Sequence, residues 1–297
     1  MTVITTPSQP GPVLQDVGLN QEFLQQGVVT RSFFSSEQVA ELRNELDELG
    51  TFGGTGFYDT AAAALESAQR EAIHRILCSA FAQGASELLV DYEPVMSSFI
   101  VKGPGQDSQK EIHRDFRLLD ESQFRAVCIW VPLVDVDESN GALAVIRGSH
   151  QVDTGPRSVP MTPRYSQDPL LELSFEDTET VPVLAGEAVV FDMALAHGSD
   201  MNHSNLPRYA AAVAYAPKSA PLSLYFCDSD DSVEELEVPH PDVFRQIDWR
   251  ARPDYLQSLG KISGERPPTT SAEFLDQSRT ISQGSPHRKS SVGSESV

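Results

Sequence analysis

The chain has 297 residues, 40% of them hydrophobic and 22% charged, and 43 acidic against 22 basic side chains leave a formal net charge of −21. This charge repels nucleic-acid phosphates and anionic lipid surfaces, so the composition predicts a globular protein without nucleic-acid or membrane partners. No apolar run approaches the roughly 18 residues that span a bilayer, and the first residues lack a signal-peptide pattern, which predicts a cytoplasmic protein.

The N-terminal part of the chain predicts an arm followed by helices. Residues 1–18 contain three prolines and two glycines without a hydrophobic period, which predicts a flexible N-terminal arm. From Ser35, apolar residues recur every three or four positions behind a serine N-cap and an acidic first turn, which predicts an amphipathic helix to residue 49. A second helical stretch is predicted over roughly residues 61–90, which contain no proline.

After Pro94 the hydrophobic pattern changes to that of β-strands. Short runs rich in β-branched and aromatic residues, bounded by Gly, Pro, Asn, Asp and Ser, cover 95–102, 124–134, 143–146, 187–193, 209–216 and 222–227. Because no helical pattern separates these runs, they predict an antiparallel sandwich, jelly roll or barrel. The predicted fold class is therefore mostly β with flanking helices.

The C-terminal part of the chain divides into two segments. Residues 239–259 carry several large apolar side chains and are expected to pack back on the domain. From Gln277 onward seven serines, two glycines and a proline leave little to bury, which predicts a disordered tail over 277–297. Ending the chain after Asp276 is accordingly expected to leave stability unchanged. The sequence thus predicts a single domain over residues 19–276.

The candidate metal ligands are histidines and carboxylates, because the three cysteines lie far apart and form no CxxC pair. His113 and Asp115 are two positions apart, so on an extended strand both side chains point to one face. A histidine from a distant strand would complete two histidines and one carboxylate around Fe(II), which leaves positions open for a co-substrate and dioxygen. By residue type, both His197 and His203 are candidates for that third ligand.

The segment that contains these two histidines resembles a known family, the phytanoyl-CoA dioxygenase family of Fe(II)/2-oxoglutarate oxygenases. The family's distal motif is H-G-S-x-x-N-x-S with an arginine eleven residues after the histidine, and the residues that match it are His197, Gly198, Ser199, Asn202, Ser204 and Arg208. His203 falls on an unspecified position, so the resemblance selects His197. Other segments that resemble the family, in the same order, are 23–29, 33–39, 101–105 and 130–150.

The resemblance implies a double-stranded β-helix, a cupin-like jelly roll whose open end holds iron on His113, Asp115 and His197. It also implies 2-oxoglutarate and O2 as co-substrates, with release of succinate and CO2. The reaction implied is hydroxylation, or another oxidation, of an unactivated C–H bond. Because no basic cluster stands out for the phosphates of an acyl-CoA, the expected substrate is a small metabolite or natural product rather than an acyl-CoA. Halogenating relatives replace the carboxylate by a small residue, so Asp115 favours hydroxylation.

Three side chains are candidates for binding 2-oxoglutarate, either at the carboxylate far from the metal or as a wall beside the molecule. Arg208 suits the far carboxylate, because a guanidinium offers a planar pair of donors to a carboxylate. The resemblance adds the hydroxyl of Ser199 to this set. It also implies that Trp130 forms a wall for the co-substrate, although a role in core packing alone is the alternative for this residue.

Further candidates follow from alternation along the predicted strands. Lys102 and Ser98 lie on one face of the run 95–102 and are candidates for the same co-substrate pocket. Arg117 continues the alternation of His113 and Asp115 and is a candidate contact for an anionic substrate. A solvated loop arginine is the alternative for Arg117.

Two other classes of protein compete with an oxygenase. One is a non-catalytic jelly-roll module of the same family, which keeps the fold and binds a ligand without turnover. The other is a metal-free structural β protein. Neither would need His113, Asp115, His197 and Arg208 together, so these four residues favour the oxygenase. The sequence contains no signal for an oligomeric state.

Overall fold

A computed structural model describes residues 11–50, 56–63, 65–155, 157–159, 168–227, 232–262 and 269–284. Within these residues the α-helices are α1 (Val17–Gln26), α2 (Ser36–Glu48), α3 (Ser67–Leu88), α4 (Val243–Gln246) and α5 (Ser271–Ser282). The strands are β1 (Val28–Ser32), β2 (Phe57–Asp59), β3 (Tyr92–Lys102), β4 (Lys110–His113), β5 (Val127–Pro132), β6 (Leu143–Val145), β7 (Glu179–Val181), β8 (Glu187–Asp192), β9 (His197–Ser199), β10 (Arg208–Pro217), β11 (Leu222–Cys227), β12 (Val233–Val238) and β13 (Ser258–Ile262).

Two antiparallel sheets pack against each other and form a jelly roll. The larger sheet has the strand order β1-β8-β5-β10-β3-β2, and the smaller sheet has the order β4-β9-β6-β7. Side chains from both sheets form the main core, among them Trp130 and Ala212 from the larger sheet and Leu143 and Val181 from the smaller one. The predicted fold class, a mostly β double-stranded β-helix with flanking helices, is confirmed.

The larger sheet is buried on both faces. In β5, Cys128 and Trp130 contact the core between the sheets, whereas Ile129 and Val131 pack in a second core on the outer face. Helices supply the other side of that second core. Because both faces are covered, the strand is a continuous apolar run rather than an alternation of apolar and polar residues.

Helices α1, α2 and α3 cover the outer face of the larger sheet. Helix α2 begins at the predicted N-cap, where the Ser35 hydroxyl accepts from the Gln38 N–H and the Gln38 side chain accepts from the Ser35 N–H. Leu42 and Leu46 of α2 are buried in the outer core. Among the helices that the structure describes, none combines the length and the apolar character that a membrane span requires.

The segment that joins α4 to β13 packs back on the domain, as predicted. Phe244, Ile247 and Leu256 are buried in the main core, and Trp249 packs against them. Strands β11, β12 and β13 form a third antiparallel sheet beside this segment. As a result, residues after α4 reach the space between the two main sheets.

The prediction of a loose arm over residues 1–18 is wrong for its second half. Val13 and Leu14 are 1% exposed, and their N–H groups donate to the Asn20 side chain at 2.9 Å. Leu14 also forms an isolated bridge with Leu89, at the end of α3. Two adjacent apolar residues carry no period, so only their burial against the distant helix reveals that they are ordered. Residues 1–10 lie outside the described residues.

The predicted boundary at residue 277 is also wrong, because α5 continues to Ser282. Phe274, Ser278 and Ile281 of this helix are buried against the jelly roll. Gly148 makes the close packing possible, since a Cβ at this position would collide with the Ser278 carbonyl and its φ of +80° suits glycine. This helix was not predicted because Ser278, a small residue in a serine-rich segment, takes the place of an apolar residue between Phe274 and Ile281. The rest of the predicted tail, 285–297, lies outside the described residues.

Ending the chain after Asp276 is therefore expected to destabilise the protein. The truncation removes the buried Ile281 and the Ser282 carbonyl, which accepts from the side chains of Gln25 and Gln26. Together these losses correspond to about 2–3 kcal/mol, or a fall in melting temperature of roughly 4–12 °C. A chain that ends after Gly284 keeps α5 and is the matched control. Equal melting temperatures for the two truncated chains in calorimetry would contradict the docking of α5.

Candidate active site

The candidate metal ligands meet where β4 and β9 pair. His113 ends β4 and His197 begins β9, and the antiparallel register places the two residues opposite each other. Asp115 follows just after the end of β4. One ligand atom from each of the three side chains lies within 4.8 Å of the others, and His113 Nε2 is 3.8 Å from Asp115 Oδ1. The structure thus brings together two imidazole nitrogens and a carboxylate oxygen at one point.

Both imidazole rings are oriented through their Nδ1 atoms. His113 Nδ1 lies 2.8 Å from the Glu111 carbonyl oxygen, and His197 Nδ1 lies 2.9 Å from that of Leu195. Because a carbonyl only accepts, each Nδ1 carries a proton, which leaves Nε2 as the atom of each ring that can bind a metal ion. Burial lowers the pKa of His113 well below its usual range, and the adjacent His197 ring lowers it further. The ring is therefore neutral, the form in which histidine binds metals.

Asp115 is positioned through its backbone. Its N–H donates to the Met193 carbonyl at 3.1 Å, and its carbonyl accepts from Arg157 Nε at 2.6 Å. The same guanidinium forms a bidentate ion pair with Glu121, with distances of 2.8 and 2.5 Å. Arg157 and Glu121 are not among the residues predicted from the sequence. Arg157 is 42 positions from Asp115, and no spacing rule links an arginine to a backbone carbonyl at that distance.

The three candidate ligands lie on the wall of a cavity of about 800 Å³ between the two main sheets. Most of the wall is apolar, and it includes the side chains of Phe116, Phe191, Met193 and Trp249. Strand β2, the start of α3 and the segment after α4 also contribute to it. Such a concave, apolar space with a few polar groups is typical of a small-molecule site.

Arg208 lines the same cavity next to Trp130. It is 1% exposed, and its guanidinium carbon lies 5.2 Å from the centre of the Trp130 ring. Nη2 donates to the Gly141 carbonyl at 3.2 Å, whereas Nε and Nη1 are buried without a hydrogen-bond partner in the described part of the chain. Burial lowers the pKa of Arg208 to about 9. Two unpartnered donors on a buried cation indicate a place for an anion.

Lys102 is a second buried cation close to Arg208. Its ammonium donates to the carbonyl of Ser199 at 3.0 Å and to that of Asp200. Burial and the Arg208 guanidinium lower the pKa of Lys102 to about 7. Gly141 allows this arrangement, because a Cβ there would lie 2.6 Å from Lys102 Cδ and its φ is +78°. Lys102 is not among the described residues that line the cavity, and its ammonium binds carbonyls at the end of β9 behind the wall.

The remaining predicted co-substrate residues lie in the cavity wall. Ser199, Trp130 and Ser98 all line it. The Ser98 side chain also hydrogen-bonds to the carboxylate of Asp59, another cavity residue. Trp130 belongs to the main core as well, so the structure combines the two roles that were alternatives for it.

The structure does not bring Arg117 or His203 into the cavity. Strand β4 ends at His113, so the predicted alternation does not extend to Arg117. Its guanidinium donates to the Leu119 carbonyl at 2.8 Å and to Asp120 at 3.2 Å. Arg117 is therefore not among the described residues that line the cavity, and its role as a substrate contact stays a prediction. His203 is exposed and lies outside the group of three ligands.

The loop between His197 and Arg208 is shaped by Asn202. Its Nδ2 donates to the Lys102 carbonyl at 3.0 Å and to the Leu206 carbonyl at 2.8 Å, and its Oδ1 accepts from the Ser204 hydroxyl at 2.7 Å. Asn202 is 1% exposed. These bonds hold the turn that carries the chain from the metal ligand to the buried arginine.

Comparison with known proteins matches residues 23–210 to the model of the phytanoyl-CoA dioxygenase (PhyH) family. This match covers more than half of the chain and includes the three candidate ligands and Arg208. A sequence search of curated proteins finds no match.

Solved structures share the fold. HygX from Streptomyces hygroscopicus, crystallised with nickel and 2-oxoglutarate, is 19% identical, with a TM-score of 0.50 over 69% of this chain and 88% of that chain. A second HygX structure, which also contains hygromycin B, is 18% identical, with a TM-score of 0.50 over the same shares. EvdO2 from Micromonospora carbonacea var. aurantiaca, complexed with 2-oxoglutarate, is 21% identical, with a TM-score of 0.51 over 80% of this chain and all of that chain.

Proposed function

Because the chain belongs to the phytanoyl-CoA dioxygenase family, we propose that it is an Fe(II)- and 2-oxoglutarate-dependent dioxygenase that hydroxylates a C–H bond of a small molecule. One observation carries the proposal. A single cavity contains a set of two histidines and a carboxylate together with a buried arginine that has two donors without partners.

The donor set fits a mononuclear iron site. His113, Asp115 and His197 offer two imidazole nitrogens and one carboxylate oxygen, and such a set on one face of Fe(II) leaves the other coordination positions open. Each imidazole is oriented by a backbone carbonyl, as in metal sites with a hydrogen-bonded outer shell. The protein would thus hold the ion rigidly and leave its cavity side free.

The buried arginine fits the far carboxylate of 2-oxoglutarate. Arg208 Nε and Nη1 are the unpartnered donors, and a carboxylate is a planar acceptor for such a pair. Trp130 and Ser199 line the same cavity as Arg208 and the triad, and Lys102 lies behind its wall. HygX and EvdO2 contain 2-oxoglutarate in their structures, which is the co-substrate proposed for this chain.

The metal ligands and the other cavity residues have different roles in the proposed reaction. When bound, iron, 2-oxoglutarate and O2 supply the oxidising chemistry, with succinate and CO2 as products. His113, Asp115 and His197 fix where that chemistry takes place. The apolar side chains of Phe191 and Met193 beside them exclude water from the site. The rest of the cavity orients a substrate C–H bond toward the open side of the triad.

The presence of Asp115 favours hydroxylation over halogenation, because its carboxylate occupies the position where chloride would bind. The cavity volume of about 800 Å³ holds a small metabolite or natural product together with the co-substrate. Hydroxylation of such a molecule is therefore the reaction that we propose.

An anaerobic titration of the full chain with Fe(II) and then 2-oxoglutarate tests the cofactors. We expect a weak metal-to-ligand charge-transfer band in the visible region, which requires both ligands on one protein. No band at saturating ligand would contradict the proposed site.

A screen for succinate release over a library of metabolites tests turnover. Release above the substrate-free background is expected for at least one compound, with a product heavier by one oxygen atom in mass spectrometry. The charge-transfer band without any stimulated release across the library would favour the non-catalytic binding module instead.

A further inference from the structure

A small side pocket opens beside the main cavity, next to the start of α3. The side chains that line both the side pocket and the main cavity are Ala61, Arg70, Met96, Ser97 and Trp249. The side pocket has a volume of about 30 Å³, which is room for two or three water-sized groups. Its polar residues are not used by the metal ligands or by Arg208.

The hydroxyl of Ser97 is oriented by two residues behind it. Arg245 Nη1 lies 3.1 Å from His74 Nε2, and His74 Nδ1 lies 2.9 Å from Ser97 Oγ. An arginine only donates, so His74 Nε2 accepts, Nδ1 carries the proton, and Ser97 Oγ is the acceptor. Burial and the nearby Arg245 lower the pKa of His74, which keeps the ring neutral in this tautomer. The Ser97 proton is thus available to another acceptor.

Arg70 supplies a positive charge at the same place. Its Nε is buried without a hydrogen-bond partner, and no ion pair involves Arg70 within the residues that the structure describes. The other arginine of the side pocket differs, because Arg245 forms ion pairs with Asp242 at 2.5 Å and with Glu71 at 3.4 Å. Of the two arginines that line the side pocket, Arg70 is therefore the one without an ion pair among the described residues.

The other charged groups near the side pocket are hydrogen-bonded or exposed, apart from Lys110, which is half-buried in the wall of the main cavity. Burial raises the pKa of Asp59, whose carboxylate accepts from the Ala61 N–H at 2.9 Å, and Lys110 opposes that shift electrostatically. Asp248 and Arg250 are exposed at the rim. None of these groups lines the side pocket, so Arg70 and Ser97 together present donors there.

We propose that Arg70 and Ser97 bind a carboxylate of the substrate, which places the substrate among small, largely apolar monocarboxylic acids. The inference deepens the proposed function and rests on it. One unneutralised guanidinium and one hydroxyl match a single negative charge, whereas a phosphate dianion would need more cations than the side pocket holds. The apolar body of the substrate would lie against Met96, Phe116 and Trp249 on its way to the metal site.

Isothermal titration calorimetry with paired probes tests this assignment. The probes are 4-phenylbutanoate and decanoate, each compared with the primary amide of the same carbon skeleton. We expect the acids to bind the full chain at least about tenfold more tightly than the amides, because a charge-assisted pair is stronger than a neutral one. Arg70→Met is expected to abolish this preference and to leave amide binding within about twofold, which also shows that the variant is folded.

Two matched variants separate Arg70 from the two other arginines among the described residues that line the main cavity. Arg250→Met removes an exposed arginine from the rim and is expected to keep the preference for acids. Arg208→Met is expected to keep it too, and loss of the preference in this variant would mean that the probes occupy the co-substrate position. Ser97→Ala is expected to reduce the preference by about three- to tenfold, since it removes one donor and keeps the charge.

Four outcomes would overturn the proposal. They are undetectable binding of the acids, equal binding of acids and amides, a full preference for acids in Arg70→Met, and loss of the preference in Arg208→Met. Phenyl phosphate that binds more tightly than 4-phenylbutanoate would overturn the assignment to a monocarboxylate. The titrations are run with and without Fe(II) and 2-oxoglutarate under anaerobic conditions. If the charge-transfer test fails, the titrations without Fe(II) and 2-oxoglutarate still test the role of Arg70. Failure of one proposal can therefore be distinguished from failure of the other.

Discussion

Alanine at any one of His113, Asp115 and His197 is expected to abolish succinate formation. Each variant leaves two protein ligands, and Fe(II) affinity should fall by more than about 100-fold, since even loss of an outer-shell partner costs 10- to 100-fold. Fe(II) titration and succinate release are measured for each variant beside its melting temperature. A melting temperature close to that of the unchanged protein shows that the loss is one of ligation and not of folding.

His203→Ala is the matched control for the three ligand variants. His203 lies six residues from His197 in the same segment, but its side chain is exposed and outside the group of three ligands. This variant is expected to keep most of its iron binding and activity. Loss of iron in His203→Ala with retention in His197→Ala would reverse the choice between the two histidines.

Arg208→Ala is expected to raise the apparent 2-oxoglutarate constant by at least about tenfold. A hydrogen bond to a charged group contributes roughly 1.5–3 kcal/mol, and about 1.4 kcal/mol corresponds to one decade. Arg208 has two donors available for such bonds, Nε and Nη1. Iron binding should survive, because the three candidate ligands are untouched.

Arg208→Lys tests whether the planar geometry of the guanidinium matters. An ammonium restores the charge without the paired donors, so this variant should recover only part of the lost affinity. The 2-oxoglutarate dependence of succinate formation is measured for both variants beside an iron titration. An unchanged dependence in Arg208→Ala would remove Arg208 from the co-substrate site.

The sequence by itself determined the features that depend on neighbouring residues. The capping box at Ser35, the period of α2 and the apolar runs of the larger sheet are local patterns, because helix and strand faces repeat every few residues. The motif around His197 and Arg208 and the pair His113 and Asp115 are also short segments. They identify the family and the candidate ligands without knowledge of how the strands pair.

Only the tertiary structure decided which residues meet across long separations. The ends of the domain extend past their predicted limits because Val13 and Ile281 find apolar partners far away in the chain. Arg157 binds the Asp115 carbonyl and Arg70 lines the side pocket, whereas Arg117 is not among the described residues that line the cavity. The physical reason is that the residues next to an arginine in the sequence can be the same whether it lies on the surface or in a site. Its role depends on which groups the packed strands and helices place around it.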